Sequence, residues 1–329
     1  MLQLINETPF SAGLSVLPNE QGYDTLFVIV KARFSIQAGL KISEEQIPLQ
    51  EVDDYYGEPG ESSIRRPGDY HTGKPSTDII MLGSACAPDR LPAKRLNVSL
   101  AINSVRKDVL VYGNRYWDDG RISAPEAFET MRLRYENAFG GYDEKNNLVE
   151  TRNPIGTGFR GERTTAQMEG IRLPNLEDPQ QQIVQLSDAP NPCNFGAIAP
   201  NWEPRVQHAG TYDTDWETNR APYLPEDYSS RFMNSASRGL AYPNYLEGGE
   251  NVSIKGMHPY GPIDFLIPKV DLQAIVTIAN KTTSLRFVAE TLTLEPNRLE
   301  FDITWRAQVT YGKRLGHLEN VKLMLGSIE

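Results

Sequence analysis

Cysteine and histidine are scarce in this chain: among 329 residues there are two of the first and four of the second. Cys86 and Cys193 are too few and too far apart for a disulfide framework or a zinc site, so both are expected to be reduced and structural. His71, His208, His258 and His317 are scattered without H-E-x-x-H or related spacing, and no G-x-S-x-G nucleophile elbow is present. Long apolar runs are also missing. No stretch approaches the roughly 18 residues of a membrane-spanning helix, and the opening MLQLINETPF has neither the basic region nor the apolar run of a signal peptide. The expected location is the cytoplasm. Cations are outnumbered, with 33 Lys and Arg against 43 Asp and Glu and a net charge of −10, which opposes any role resting on phosphate neutralisation.

What the chain does contain is alternation. TLFVIVKARFSI (25–36) begins as an apolar run and then sets Ala32, Phe34 and Ile36 against Lys31, Arg33 and Ser35, which predicts a strand with one half-buried end. Residues 43–77, including EVDDYYGEPGESS, are poor in apolar groups and read as a long surface loop or peripheral hairpin. DIIMLGSA (78–85) is a short buried run. LNVSLAIN (96–103) and KDVLVYG (107–113) form a hairpin, and MRLRYE (131–136) repeats the period with Met131, Leu133 and Tyr135 inward. Strands return near the end as DLQAIVTIAN, SLRFVAETLTLEP, RLEFDITWRAQVTYG and NVKLML.

Residues 140–270 differ, holding 13 of the 23 prolines and 13 of the 26 glycines with little periodicity. Short helical turns are expected near TTAQMEGI (164–171) and PEDYSSRFMNSA (225–236), where Pro225 suits a first helical position. The expectation is a mainly β fold: antiparallel sandwich or barrel-like sheets, a long irregular Pro/Gly-rich central region and few short helices. One domain spans 1–329, with a sheet-rich part at 1–139, an irregular part at 140–270 and C-terminal strands at 271–329.

The irregular part centres on APNWEPRVQHAGTYDTDWETNRAPYLPEDYSSRFMN (199–234), where Pro200, Pro204, Pro222 and Pro225 stop any regular element. A run so dense in aromatics must be held by the rest of the protein, and ordered long loops are more often functional than idle. Asp213, Asp215 and Glu217 resemble the opening of a calcium loop, but Thr218 stands where the turn needs Gly and Leu224 where the closing acid belongs. GTGFRG (156–161) matches G-x-G-x-x-G without the preceding strand and following helix that a dinucleotide site requires. Arg152, Arg160, Arg163 and Arg172 are expected to pair internally. A carboxylate pair of a carbohydrate-active hydrolase is a spatial arrangement, invisible in sequence, and stays open as an alternative.

The blocks TPF (8–10) with LFVIVKARF (26–34), DIIMLGSA, KDVLVYGNRYW (107–117), YENAFGGYD (135–143), NPIGTGF (153–159), LPNLEDP (173–179), the 199–236 run, YLEGGENVSIKGMHPYGPIDFLIP (245–268) and ITWRAQV (303–309) occur in order. Through them the chain resembles the bacterial family known as domain of unknown function 2169, found with type VI secretion systems. The resemblance implies a cytoplasmic, non-enzymatic adaptor or chaperone that holds an effector, often one with a PAAR-type domain, and assists its loading onto the VgrG spike. It implies no catalytic residues; no cofactor or metal is expected, and the acidic charge and the lack of long apolar runs leave neither nucleic acid nor membrane as an expected partner. A structural component of the spike is a further alternative. For client contact the candidates are Trp202, Arg205, Tyr212, Trp216, Pro222, Pro225, Asp227, Tyr228 and Phe232, since interfaces favour Trp, Tyr and Arg anchors.

Overall fold

The structure is a computed structural model and describes residues 2–37, 39–311 and 318–329. His317 lies outside the described residues. The main strands in chain order are β1 (Gln3–Asn6), β2 (Ser11–Pro18), β3 (Asp24–Ser35), β4 (Asp78–Met81), β5 (Arg95–Ile102), β6 (Val105–Tyr112), β7 (Asn251–Lys255), β8 (Ile263–Leu266), β9 (Val270–Ile278), β10 (Lys281–Leu285), β11 (Val288–Glu295), β12 (Glu300–Thr310) and β13 (Leu318–Ile328). Strand accounts for 42% and helix for 8%, so the fold is mainly β as expected, and no sheet closes into a barrel.

Three sheets carry these strands. The largest runs β2, β3, β12, β11, β4, antiparallel except for the parallel β11–β4 pair. A second runs β1, β13, β9, β10, with β1 parallel to β13, so both ends of the chain meet in one sheet. The third runs Leu176–Glu177, β6, β5, β7, β8. Strands from the irregular part thus pair with strands from the N-terminal part: β7 lies antiparallel to β5.

Period-2 alternation explains the core. Leu26, Val28, Val30, Ala32 and Phe34 of β3 share one face with Phe301, Ile303, Trp305 and Ala307 of β12. That face meets Ala274 and Val276 of β9, Val321 and Leu323 of β13, and Val98, Leu100 and Ile102 of β5 in a single apolar cluster. Phe34 stacks on its cross-strand partner Phe301 at 5.2 Å, and Phe265 of β8 stacks on Phe301 at 4.9 Å, linking the third sheet to the large one.

The opposite face of the large sheet departs from expectation. Lys31 and Arg33 alternate with the apolar residues as read, yet both are buried, at 3% and 7% exposure. The cause is the segment 43–77, which is not a surface loop: it crosses this face and buries Ile64, Asp69, Lys74 and Thr77. Charges enclosed in this way must be paired, because an isolated buried ion is costly. Lys31 Nζ meets Asp69 at 2.6 Å, and Arg33 Nε meets Asp302 at 2.6 Å. Arg66, on the covering segment, meets the second oxygen of Asp302 at 2.6 Å and also Glu295. Arg306 Nε holds Glu290 at 2.6 Å, and Lys74 Nζ holds Asp78 at 2.7 Å.

Smaller differences have local causes. MRLRYE is a strand only over Thr130–Arg132; Leu133 and Tyr135 still point inward, but a 3-10 turn, Tyr135–Asn137, replaces the second half. SLRFVAETLTLEP is two strands, because β10 pairs with β9 while β11 pairs with β12, and the chain changes sheet at Arg286–Phe287. Near TTAQMEGI the expected turn is helix α1 (Thr165–Met168), closed by a capping box between Thr164 and Gln167. At 225–236 no helix starts at Pro225; a 3-10 turn forms later, at Ser230–Met233. The helix of this region is α2 (Thr214–Asn219), capped by Asp213.

Candidate functional site

The 199–234 run is anchored at its base and exposed at its tip. Trp202, a candidate for client contact, is instead a core residue at 2% exposure, set edge-on to Tyr135 with ring centres 5.3 Å apart. Arg205 ties the two ends of the run together: Nη1 donates to Ile198 O at 2.7 Å and Nε to Phe232 O at 2.8 Å. Its guanidinium also lies 5.3 Å from the Phe232 ring centre, and burial lowers its pKa from the ordinary arginine value. At the far end Asn234 Nδ2 and Ser235 N donate to the two oxygens of Asp78, each at 2.7 Å. Asp78 is the carboxylate held by Lys74, so the run is bolted to the buried ionic face of the large sheet.

The tip is shaped by short-range capping. Thr211 donates to Asp227 through its backbone N–H (2.9 Å) and its hydroxyl (2.7 Å), and these bonds hold the Asp227 carboxyl below the usual aspartate range. Just before Thr211 the chain needs Gly210, whose φ is +81° and where a Cβ would come within 2.8 Å of Pro225 Cβ. Pro225 is buried against it. Asp213 accepts the Trp216 N–H at 2.9 Å and starts α2. Trp216 Nε1 donates to Tyr223 O at 2.8 Å, fixing an indole that stays half-buried. Tyr212 stands edge-on to it at 4.7 Å and is 55% exposed. Arg220 donates to Leu224 O and to Glu20 O, tying the tip to the β2–β3 turn.

Of the nine candidates, Tyr212, Trp216, Pro222 and Asp227 lie at this tip with accessible surface, whereas Tyr228 and Phe232 are half-buried and pack on each other 6.3 Å apart. Asp213, Asp215 and Glu217 do not converge. Positions two apart on a helix face different ways, Asp213 is occupied as the cap, and Asp215 accepts from Asn219 at 2.8 Å. Among the described residues no group of three His, Cys, Asp or Glu is arranged to hold a metal. A hollow of about 300 Å³ lies between α2 and the 225–227 turn, walled by Trp216, Asp213, Asp215, Arg220 and Asp227.

Other sequence candidates resolve into structure. Arg152 pairs with Glu150 at 2.6 Å, Arg163 lies 3.6 Å from Asp143 and donates to two backbone carbonyls, Arg160 donates to Arg163 O, and Arg172 donates to Asn175 at 2.8 Å, so all four engage within the chain. GTGFRG holds a two-residue strand, Thr157–Gly158, parallel to Phe139–Gly140, with Gly158 and Gly161 at positive φ and no helix opening directly from it. Cys86 and Cys193 are both free, and burial raises the Cys193 thiol to about 11, which keeps it protonated. Sequence reading missed the ionic face. Its signal was present as Lys31 and Arg33 in β3 and Glu300, Asp302 and Arg306 in β12, each set alternating with apolar residues.

Fold and site together define a mainly β protein of antiparallel sheets, with a buried ionic layer that holds an irregular, aromatic and acidic loop region. Over residues 21–306 the chain matches the family described as uncharacterized protein conserved in bacteria (DUF2169), and it belongs to that family. No curated protein matches it, and no solved structure does. Among the described residues no helix is long and apolar enough to cross a membrane.

Proposed function

We propose that this chain is a non-enzymatic adaptor that binds a type VI secretion effector, PAAR-type or similar, in the cytoplasm and assists its loading onto the VgrG spike. The observation carrying the proposal is the Tyr212–Trp216 tip. Two large aromatics stand together at the start of a short capped helix, Tyr212 just before the cap and Trp216 within the helix, and the base of the run is locked to the protein interior, so little backbone freedom is lost when a partner covers them. Aromatic anchors on a rigid base are what concentrated binding energy requires. The partners named are those that the resemblance implies.

Of the acids around the tip, Asp213 caps α2 and Asp227 accepts from Thr211. Asp227 is held ionised by Thr211, which unsuits it as a general acid near neutral pH. Co-expression of the tagged chain with the effector encoded beside its gene tests the proposal: the effector is expected to be more soluble and to co-purify, and to leave the chain when VgrG is added. An effector equally soluble alone and absent from the purified fraction would end the adaptor reading.

A further inference from the structure

We propose that the cleft between β10 and the end of β12 takes an extended, acidic segment of a partner protein as an added β-strand. It rests on main-chain groups that face this cleft with no partner among the described residues. β10 is joined to β9 by the two-residue turn Ala279–Asn280, both at positive φ, with Ile278 opposite Lys281. The pair flanking such a turn exchanges both hydrogen bonds, and the pattern then alternates. Lys281, Thr283 and Leu285 therefore bond β9, while Thr282 and Ser284 turn their N–H and C=O away from it.

The opposite wall shows the same. Just beyond the ends of β12, Tyr311 N donates to Asp24 O and Leu299 O accepts from Ile36 N, which assigns the odd-numbered residues to β3 and the even-numbered ones to the β11 side. But β11 begins at Val288, opposite Arg306. Gln308 and Thr310 project past its start, and among the described residues neither they nor Thr282 and Ser284 have a backbone partner on that side. The outer edge of β4, by contrast, is covered, with Ile79 N donating to Leu240 O and Met81 N to Phe195 O. An uncovered edge is a template for another strand, and proteins ordinarily blunt such edges.

Between these edges lies a cleft of about 630 Å³, bordered by residues 283–285, Arg286, Val288 and residues 307–309. An extended chain alternates donors and acceptors as these edges do, which is the chemistry of strand addition. Charge selects its composition. Arg286 is exposed and forms no ion pair among the described residues, and Arg306 Nη1 is buried without an acceptor. Of the acids here, Glu290 is committed to Arg306 Nε and Lys74 N, leaving Glu20 at the rim. The inference deepens the binding reading above by adding a second surface, and the β2–β3 turn that Arg220 contacts forms part of the cleft wall.

The probes are fluorescein-labelled six-residue peptides titrated into the full chain and followed by anisotropy: Thr-Val-Glu-Val-Thr-Val, its lysine counterpart, and the glutamate peptide N-methylated at alternate residues. The glutamate peptide is expected to bind saturably, the lysine peptide several-fold more weakly, and the methylated one at least tenfold more weakly. Ser284→Pro removes a donor that serves no ladder bond, so the melting temperature should hold while binding falls at least tenfold. Arg286→Ala should narrow the glutamate preference. Equal binding of the methylated peptide, binding untouched by Ser284→Pro, or no binding up to about 1 mM would overturn the proposal. So would a dimer in sedimentation that Ser284→Pro dissociates, since the edge would then belong to a second copy. Loss of the proposal with effector co-purification intact would leave the adaptor reading standing.

Discussion

Two tryptophans in one loop region separate anchoring from presentation. Trp202 sits in the core and Trp216 at the tip, although both stand in the same Pro-rich context. Trp202→Ala should cost about 3–5 kcal/mol in denaturant unfolding, the range for deleting a buried aromatic, whereas Trp216→Ala should cost about 1 kcal/mol, since it loses one hydrogen bond and partial burial. Local sequence did not distinguish them, because the partner that buries Trp202 is Tyr135, 67 positions earlier. At Asp302 the expectation is equally definite. Its two oxygens hold Arg33 and Arg66, and Asp302→Ala leaves both guanidiniums in a dry layer with fewer acceptors, for a loss of about 3–5 kcal/mol. A loss under about 1 kcal/mol by chemical denaturation would mean that Glu295 and Glu300 suffice.

His71 gives the buried layer a pH signature. Burial, with Arg306 and Lys74 nearby, lowers its pKa well below 6.5, and Arg306 Nη2 lies 3.1 Å from its Nε2. The folded protein therefore binds fewer protons here than the unfolded chain does. Stability from this residue is full above about pH 6.5 and declines as the pH falls below that value. His71→Gln retains an acceptor and does not titrate, so its melting temperature should fall less than the wild type's between pH 7 and 5. Asp227, Asp143 and Asp108, whose carboxyls are held low by hydrogen bonds, contribute stability that is lost only at more acidic pH, which keeps the two windows apart.

Among elements, the strands with clean alternation are legible in the sequence itself: β5, β9 and β12 lie where the pattern places them. What sequence did not disclose was how polar residues at the alternate positions of β3 and β12 are covered. Alternation tells which residues share a face; whether that face meets water depends on the segment 43–77 folding over it, which follows β3 but stands more than 220 positions before β12. The same limit hid the break in SLRFVAETLTLEP, where Arg286 and Phe287 pass from one sheet to another without proline or glycine to mark the corner. The tip of the candidate site is legible by composition, and a helical turn falls within 225–236 at Ser230–Met233, whereas α2, started by the Asp213 cap, is an addition to the expected elements. Gly210→Ala checks that local account. It should strain the φ of +81° and press on Pro225, lowering the melting temperature by several degrees.

For the molecule as a whole, the two chain ends close one sheet. Gln3–Asn6 pairs in parallel with Asn320–Leu323, and β13 fills the same sheet beside β9. Removing residues 2–7 would uncover an edge of β13, and a lower melting temperature with greater aggregation is expected in light scattering. The long-range β3–β12 pairing, joining residues some 270 positions apart, makes the fold depend on contacts that form late. Such a scaffold suits a protein whose loops are positioned by its interior, and the adaptor proposal turns on that arrangement. The most direct test is effector retention by the Tyr212→Ala/Trp216→Ala double variant after co-expression, with the melting temperature measured on the same sample. The account predicts at least tenfold less effector retained at a melting temperature within a few degrees of the wild type. Full retention by a folded double variant would contradict it.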